Sequence, residues 1–365
     1  MRATYLEVNL SHLKENLDAI RAHVGSAKVM PMVKANAYGH GMDGVVPFIE
    51  PYADYLGVAL VEEGIHLRKL GLRKPILVAG ATLPEQVSLF AEYDLTLTGS
   101  SSELLDIAEE VSRSTGARIK THLKIDTGME RVGMREYEAE PFLLKTFAYK
   151  HLDIEGIYTH LANAELADKR YSLMQLERFQ QVLDLYNRYS LPAPSLRHVC
   201  NSGGILNFPE AHLDMVRPGV LFYGVYPGEE VERVVEVKPA LTWRSRVAYS
   251  KRTRPGRAVS YGSLWQPEVE TGIVTIPCGY ADGYFRRMTN QAQVVIHQEK
   301  YPQVGRICMD QFMVDVGDDE IKIGDEVTLL GEGIRAEDLA RWSGTNEYEV
   351  MTNISARVPR VYIND

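Results

Sequence analysis

The stretch Val33-Lys34-Ala35-Asn36-Ala37-Tyr38-Gly39-His40-Gly41 follows the apolar run Val29-Met30-Pro31-Met32, so a lysine stands where a short buried strand ends. Small residues and glycines come next, which lets the backbone turn sharply and approach a ligand closely. An amine on a rigid strand end, with the Tyr38 phenol four residues on, suits a Schiff base with a carbonyl cofactor better than a solvated surface charge. The plainer alternative is a lysine that caps a strand ahead of a glycine turn. Two further stretches could hold an anion. Asn201-Ser202-Gly203-Gly204 offers backbone N–H groups and a hydroxyl at the start of a short helix from Ile205, and Arg217-Pro218-Gly219-Val220 follows another apolar run. Either loop alone reads as a cap or a turn; two of them after successive strands read as a phosphate site. Arg217, before a proline at a strand end, is expected to point inward, the alternative being an ion pair at the rim.

The elements that must position these groups are legible as apolar runs near Lys28–Val33, Tyr55–Ala59, Ile76–Val78, Leu95–Leu97, Ile119–Ile125, Ile154–Thr159, Arg197–Val199 and Leu213–Val216. Helical patterns separate them, clearest in Leu173, Leu176, Phe179, Leu183 and Tyr186, which fall every three or four residues. Strand and helix alternating in this way predict a parallel (β/α)8 TIM-type barrel over residues 11–235. Its functional loops then follow the C-terminal strand ends, with phosphate commonly held after the last two strands. Beyond residue 235 the runs Ile273–Ile276, Val294–Ile296, Gln303–Ile307, Gln311–Val316 and Glu326–Leu330 are short and separated by Gly, Asp and Pro. They predict a mostly antiparallel β domain over 236–365. Tyr5-Leu6-Glu7-Val8-Asn9-Leu10 alternates like a strand, and Ser11 is the expected N-cap of the helix after it.

Composition narrows the functional classes. The 365 residues, 45% of them hydrophobic, suffice for a large domain and a smaller one. A net charge of −9 argues against nucleic acid as a partner. No secretory leader is evident, and no run of about 18 uncharged apolar residues occurs, so the expectation is a cytoplasmic protein without a membrane span. Cys200, Cys278 and Cys308 are too far apart for a zinc motif or a disulfide framework, so no metal is expected.

Over nearly its whole length the chain resembles the pyridoxal phosphate-dependent alanine racemases. The motifs that carry the likeness are the Lys34 stretch, the two glycine loops, Lys124-Ile125-Asp126-Thr127-Gly128-Met129-Glu130-Arg131, Val259-Ser260-Tyr261-Gly262, Pro277-Cys278-Gly279-Tyr280-Ala281-Asp282-Gly283-Tyr284 and Gly305-Arg306-Ile307-Cys308-Met309-Asp310-Gln311. The resemblance implies that residues 1–10 join the β domain and that Lys34 carries pyridoxal 5'-phosphate. It implies that Tyr38, Asn201, Ser202, Gly219 and Val220 help to hold the cofactor, that Arg217 bonds the pyridine nitrogen, and that His160 lies behind, between Arg217 and a catalytic tyrosine. Arg131 matches an arginine near the cofactor's phenolic oxygen and the substrate carboxylate. Lys124 matches a lysine that is often carbamylated, a neighbouring chloride or a lowered pKa being the alternatives. Interconverting enantiomers needs a base on each face, and the resemblance makes Tyr261 of the opposite subunit the second one. It places Tyr280 at the substrate entrance, gives the Met309 N–H to the substrate carboxylate, and sets Arg306, Cys308 and Asp310 around it. The implied assembly is a head-to-tail homodimer, and the implied role is supply of D-alanine for peptidoglycan.

One position departs from the family pattern. Where Ile-Ser-Tyr-Arg-Val-Pro-Arg is common, this chain has Ile354-Ser355-Ala356-Arg357-Val358-Pro359-Arg360. Loss of that hydroxyl removes a phosphate hydrogen bond, generically worth about 0.5–1.5 kcal/mol, and widens the substrate space. Serine or another small amino acid is therefore an alternative substrate. From a different class, a pyridoxal phosphate-binding barrel without turnover remains a reading, against which the β domain speaks.

Overall fold

The structure is a computed structural model that describes residues 2–364. Its strands are β1 (Tyr5–Asn9), β2 (Lys28–Val29), β3 (Leu56–Val58), β4 (Ile76–Val78), β5 (Leu97–Gly99), β6 (Lys120–Asp126), β7 (Met134–Arg135), β8 (Asp153–Tyr158), β9 (Leu196–His198) and β10 (Met215–Val216). Then come β11 (Leu241–Arg246), β12 (Tyr249–Thr253), β13 (Thr271–Ile276), β14 (Gln293–Ile296), β15 (Glu299–Val304), β16 (Phe312–Gly317), β17 (Glu326–Leu330) and β18 (Arg360–Ile363). Chain contacts divide the protein into two compact units. Leu13–Ala37 with Met42–Lys238 forms one; Tyr38–Gly41 and the chain from Pro239, with the residues before Leu13, form the other.

The first unit is a closed parallel barrel. β3, β4 and β5 are buried at every position, as strands with helices outside and a packed interior must be. β3 pairs with β4, and β5, β6, β8 and β9 pair in that order, all parallel. Further backbone hydrogen bonds bridge the gaps, among them Val33 N–H to Gly57 O at 2.8 Å, Thr96 N–H to Ile76 O at 2.8 Å, and Arg217 N–H to Cys200 O at 2.9 Å. β10 pairs with β2, and Met32 N–H donates to Pro218 O at 2.9 Å, which closes the ring. β2 is short because Pro31 has no N–H to give and the chain turns at Lys34.

The long helix Arg170–Arg188 departs from its apolar periodicity. Ser172 and Gln175 are buried in its first half, whereas Leu173 is 50% exposed. Gln175 accounts for the shift: its side chain accepts from Ala162 N–H at 2.8 Å and donates to His160 O at 3.1 Å, so the helix turns an amide toward the end of β8.

The second unit is a nine-stranded, mostly antiparallel sheet in the order β12-β13-β16-β15-β14-β17-β11-β1-β18. β1 lies antiparallel to β11 and parallel to β18. Trp243, fully buried, meets Tyr284 edge-on at 5.8 Å, and Tyr284 stacks on Phe312 at 4.6 Å. Two expectations are corrected. Asn9, not Ser11, caps the first helix, its Oδ1 accepting from His12 N–H at 3.0 Å, while the Ser11 hydroxyl donates to Asn364. The strand expected at Gln303–Ile307 runs Glu299–Val304 instead. His297 (φ +51°) and Gln298 (φ +70°) make a two-residue left-handed hairpin turn with neither Asn nor Gly, and Gly305 (φ +71°) breaks the strand after Val304.

Candidate active site

Lys34 stands at the barrel's C-terminal mouth, and the chain after it is strained. Ala35, Asn36, Ala37 and Tyr38 all have φ between +50° and +55°. None is glycine, and each such residue costs about 1–2 kcal/mol in the left-handed region. Hydrogen bonds offset this. Glu63 accepts Ala35 N–H at 2.6 Å with one oxygen and Ala59 and Leu60 N–H at 2.8 and 3.1 Å with the other, tying the lysine turn to the end of β3. Asn36 Oδ1 accepts Met42 N–H at 2.8 Å. Burial lowers the Lys34 pKa, the Arg131 charge lowers it further, and Glu63 opposes both. The amine therefore loses its proton more readily than an ordinary lysine.

Arg217, only 3% exposed, points inward as expected. Nη1 donates to His198 Nδ1 at 2.8 Å, and Nη2 serves Thr159 O at 2.8 Å, Val199 O at 2.9 Å and His160 Nδ1 at 3.2 Å. Its carbon lies 5.2 Å from the centre of the Tyr158 ring, which also receives Lys124 Nζ at 4.6 Å. Burial brings the Arg217 pKa down to about 10, still charged at neutral pH. Lys124 Nζ is buried with no hydrogen-bond partner, and desolvation followed by the Arg217 charge pushes its pKa well below a lysine's ordinary value. His160 is held well below the usual histidine range by burial, then by Arg217, Lys124, Arg131 and Lys34. Four cationic residues thus converge on one strand-end region. The nearby Asp126 carboxylate is occupied: despite burial, which works to raise its pKa, backbone N–H groups of Gly128, Met129, Glu130 and Arg131 at 2.8–3.1 Å hold it low. That loop in turn fixes the exposed Arg131.

The two glycine loops interlock. Ser202 Oγ accepts Gly219 N–H at 2.9 Å and Leu221 N–H at 3.3 Å, which leaves the hydroxyl proton for another acceptor. Asn201 caps the short helix through Gly204 N–H at 3.0 Å, so that N–H, read from the sequence as open to phosphate, is already engaged. A Cβ on Gly203 would lie 2.8 Å from the Ala164 backbone, so only glycine lets this helix start sit where it does. Val220 begins the turn Val220–Tyr223 and is fully buried. An uncharged-prone amine, a free hydroxyl proton at a helix start and a cationic mouth fit an aldehyde-bearing phosphate ester such as pyridoxal phosphate.

The remaining expected residues lie in the second unit. Tyr38 is 6% exposed, 6.1 Å between ring centres from Tyr348. Tyr261 is 72% exposed and Met309 52%, on loops bound to one another. Ser260, with φ +66°, donates to Arg306 O at 2.6 Å and lies 3.3 Å from Cys308 Sγ. Tyr280 N–H donates to Cys308 O at 3.1 Å and Ala281 N–H to Met309 O at 3.0 Å, an approach that a Cβ on Gly279 would prevent. Asp282, fully buried, pairs with Arg2 at 2.7 Å and Arg357 at 2.8 Å, and Arg357 also pairs with Asp310 at 2.6 Å. Arg357 adjoins the exposed Ala356, so one ion network fixes that residue's segment against the Tyr280 and Met309 loops.

Sequence reasoning missed Glu63, Gln175, His198 and His122. Glu63, three residues after Leu60, had the spacing of a helix-start carboxylate; the others gave no local signal. His122 and His198 are fully buried, and burial lowers the pKa of both, that of His198 strongly. Below about pH 6.5 the unfolded chain binds protons that these folded histidines refuse, so stability is intact above that pH and falls below it by up to roughly 1.4 kcal/mol per pH unit per histidine. The expected outcome is a lower urea midpoint for barrel unfolding at about pH 5.5 than at about pH 7.5; equal midpoints would mean the pair is not held neutral.

Comparison with known proteins agrees with this architecture. Residues 8–227 match the model of the alanine racemase N-terminal domain, and residues 240–362 that of its C-terminal domain. An alanine racemase of Carboxydothermus hydrogenoformans is 42% identical, with 100% of both chains covered. The solved alanine racemase of Clostridium difficile 630 superposes with a TM-score of 0.95 at 37% identity, covering 100% of this chain and 97% of that one. A Bartonella henselae alanine racemase solved with covalently bound pyridoxal phosphate gives a TM-score of 0.91 at 25% identity, with both chains fully covered. The chain belongs to the alanine racemase family.

Proposed function

We propose that this chain is a pyridoxal phosphate-dependent racemase that interconverts L- and D-alanine in the cytoplasm and supplies D-alanine for peptidoglycan. The observation that carries the reading is the desolvated Lys34 amine, set at a cationic barrel mouth with the Ser202 hydroxyl proton unspent. Among the described residues no helix is long and apolar enough to cross a membrane. When bound, the cofactor supplies a carbonyl for amine capture and a ring that withdraws electrons from the α-carbon. Ser202, Asn201, Tyr38 and the Gly219-Val220 turn are the residues for its phosphate. Arg217 remains a donor at neutral pH and leaves the ring nitrogen unprotonated, which limits electron withdrawal and favours return of the proton to the α-carbon. Arg131 and the Met309 N–H receive the substrate carboxylate. Lys124 is suited to a carbamate or a neighbouring chloride, because either anion would offset Arg131 and Arg217, and an uncharged amine is the form that reacts with carbon dioxide.

Lys34 Nζ takes the α-proton from one face of the substrate, and the Tyr261 hydroxyl delivers one to the other; the reverse reaction exchanges the roles. Tyr261, Tyr280, Arg306, Cys308, Met309 and Asp310 act on the site of a second copy in a head-to-tail homodimer. The 72% exposure of Tyr261 and 52% of Met309 on mutually braced loops supports this, since such groups otherwise have little reason to face water. A pyridoxal phosphate-binding barrel without turnover is disfavoured by the match of residues 240–362 to the C-terminal domain.

Borohydride reduction of the reconstituted protein is expected to leave a pyridoxyl label on Lys34, and L-alanine is expected to yield D-alanine; a label elsewhere, or none, would remove the basis of this reading. Mixed, re-assembled Lys34→Ala and Tyr261→Phe chains should regain activity that neither has alone, because one hybrid site then holds both native residues. Failure to regain any, with hybrids present, would place Tyr261 in its own subunit's site. Ala356 favours a second reading in which serine competes well. Changing Ala356→Tyr is expected to raise the alanine-to-serine ratio of kcat/KM several-fold, roughly what about 1 kcal/mol of lost space or gained bonding gives. An unchanged ratio would mean that Ala356 does not set specificity.

A further inference from the structure

Behind Arg217 the barrel interior holds a row of groups that the reaction just described does not use. Guanidinium nitrogens only donate, so His198 Nδ1, 2.8 Å from Arg217 Nη1, must be the acceptor. Neutral His198 then carries its proton on Nε2, which lies 2.8 Å from His122 Nδ1. His122 Nδ1 must accept in its turn, so neutral His122 carries its proton on Nε2. That nitrogen faces the Glu155 carboxylate at 3.9 Å, too far for a hydrogen bond but close enough for charge to count. The same Glu155 oxygen receives the Tyr55 hydroxyl at 3.1 Å. The reversed order fails sterically, because a proton on His198 Nδ1 would meet the Arg217 N–H across the same 2.8 Å gap.

The row has dedicated room. His122 pairs across the sheet with Gly156, where a Cβ would lie 2.6 Å from the His122 ring, and Tyr158 stacks on His198 at 4.6 Å and 6°. Glu155 stands near the start of β8 with its side chain 25% exposed, whereas Arg217 follows the end of β10. In a parallel barrel those are opposite mouths.

We propose that His198 and His122 form a one-way donor line behind Arg217 and that the Glu155 charge at the far mouth favours that direction, so that Glu155, His122 and His198 together help to hold the guanidinium offered to the cofactor ring. The three are positioning residues, and the inference rests on the role given to Arg217 above. The hydrogen bonds run Arg217 to His198 to His122, and His122 Nε2–H, buried without a hydrogen-bond partner, faces the Glu155 charge.

The test is nitrogen NMR of the holoenzyme labelled with 15N-histidine, near neutral pH, alongside kinetics. In the wild-type chain both rings are expected as neutral Nε2–H tautomers; a proton on Nδ1 of either overturns the proposal without further experiment. In Glu155→Gln, whose melting curve is checked first, the His122 Nε2 signal should shift while both rings keep the Nε2–H tautomer that Arg217 imposes, and kcat falls roughly tenfold with KM within about twofold. Loss of kcat with the His122 Nε2 signal unmoved would make Glu155 merely structural and overturn the line, as would a variant with unchanged signals and rate. A wild-type chain that racemises nothing would refute the functional reading instead, and the tautomers would still decide whether the line exists.

Discussion

Everything at the barrel mouth depends on a guanidinium buried without an anion. Among the described residues no carboxylate lies within ion-pair distance of Arg217, which is 3% exposed. A buried, unpaired charge is costly unless each of its donors is satisfied. Here the carbonyls of Thr159 and Val199, two histidine nitrogens and the face of Tyr158 do that. None of these partners carries negative charge, so the positive field is left unneutralised. Burial first, and this field second, depress the proton affinity of Lys124, His160 and His198, and the field makes the mouth receptive to a phosphate and a carboxylate.

The neighbouring carboxylates are engaged by the backbone. Asp126 accepts four backbone N–H groups and Glu63 three, so each carboxylate shapes a loop while only partly offsetting the neighbouring cations. Glu63 does most where the backbone is least comfortable, bracing the left-handed run that begins at Ala35 just after the Lys34 amine. Backbone strain persists only where surrounding contacts over-determine it. The strain, the desolvated amine and the cationic mouth are therefore parts of one arrangement.

The second unit follows a different logic. Asp282, buried between Arg2 and Arg357, ties the chain's first described residue, the Gly279–Tyr284 loop and the Ala356 segment into one surface. Tyr261 and Met309 project from that surface at loops whose close approach depends on Gly279 and Gly305. Such a surface suits a task performed on another molecule.

The sequence by itself determined the eight barrel strands, the β domain after them, and the residues of the lysine turn and glycine loops. Those signals are local: apolar runs a few residues long, glycines where the backbone turns, and a lysine at a strand end. Only the tertiary structure decided the rest, because the deciding contacts join residues far apart in the chain. Gln175 reaches back to the end of β8 and displaces Leu173 from the buried face of its helix, while Phe179, Leu183 and Tyr186 stay buried as expected. His297 and Gln298 form a turn that their side chains do not advertise, since the pairing of β14 with β15 imposes it. His122, His198, Glu155 and Arg217 lie on four different strands or their ends, and only closure of the barrel aligns them. The residue types that could do chemistry were legible in the sequence; the direction in which they act on one another required the ring to close.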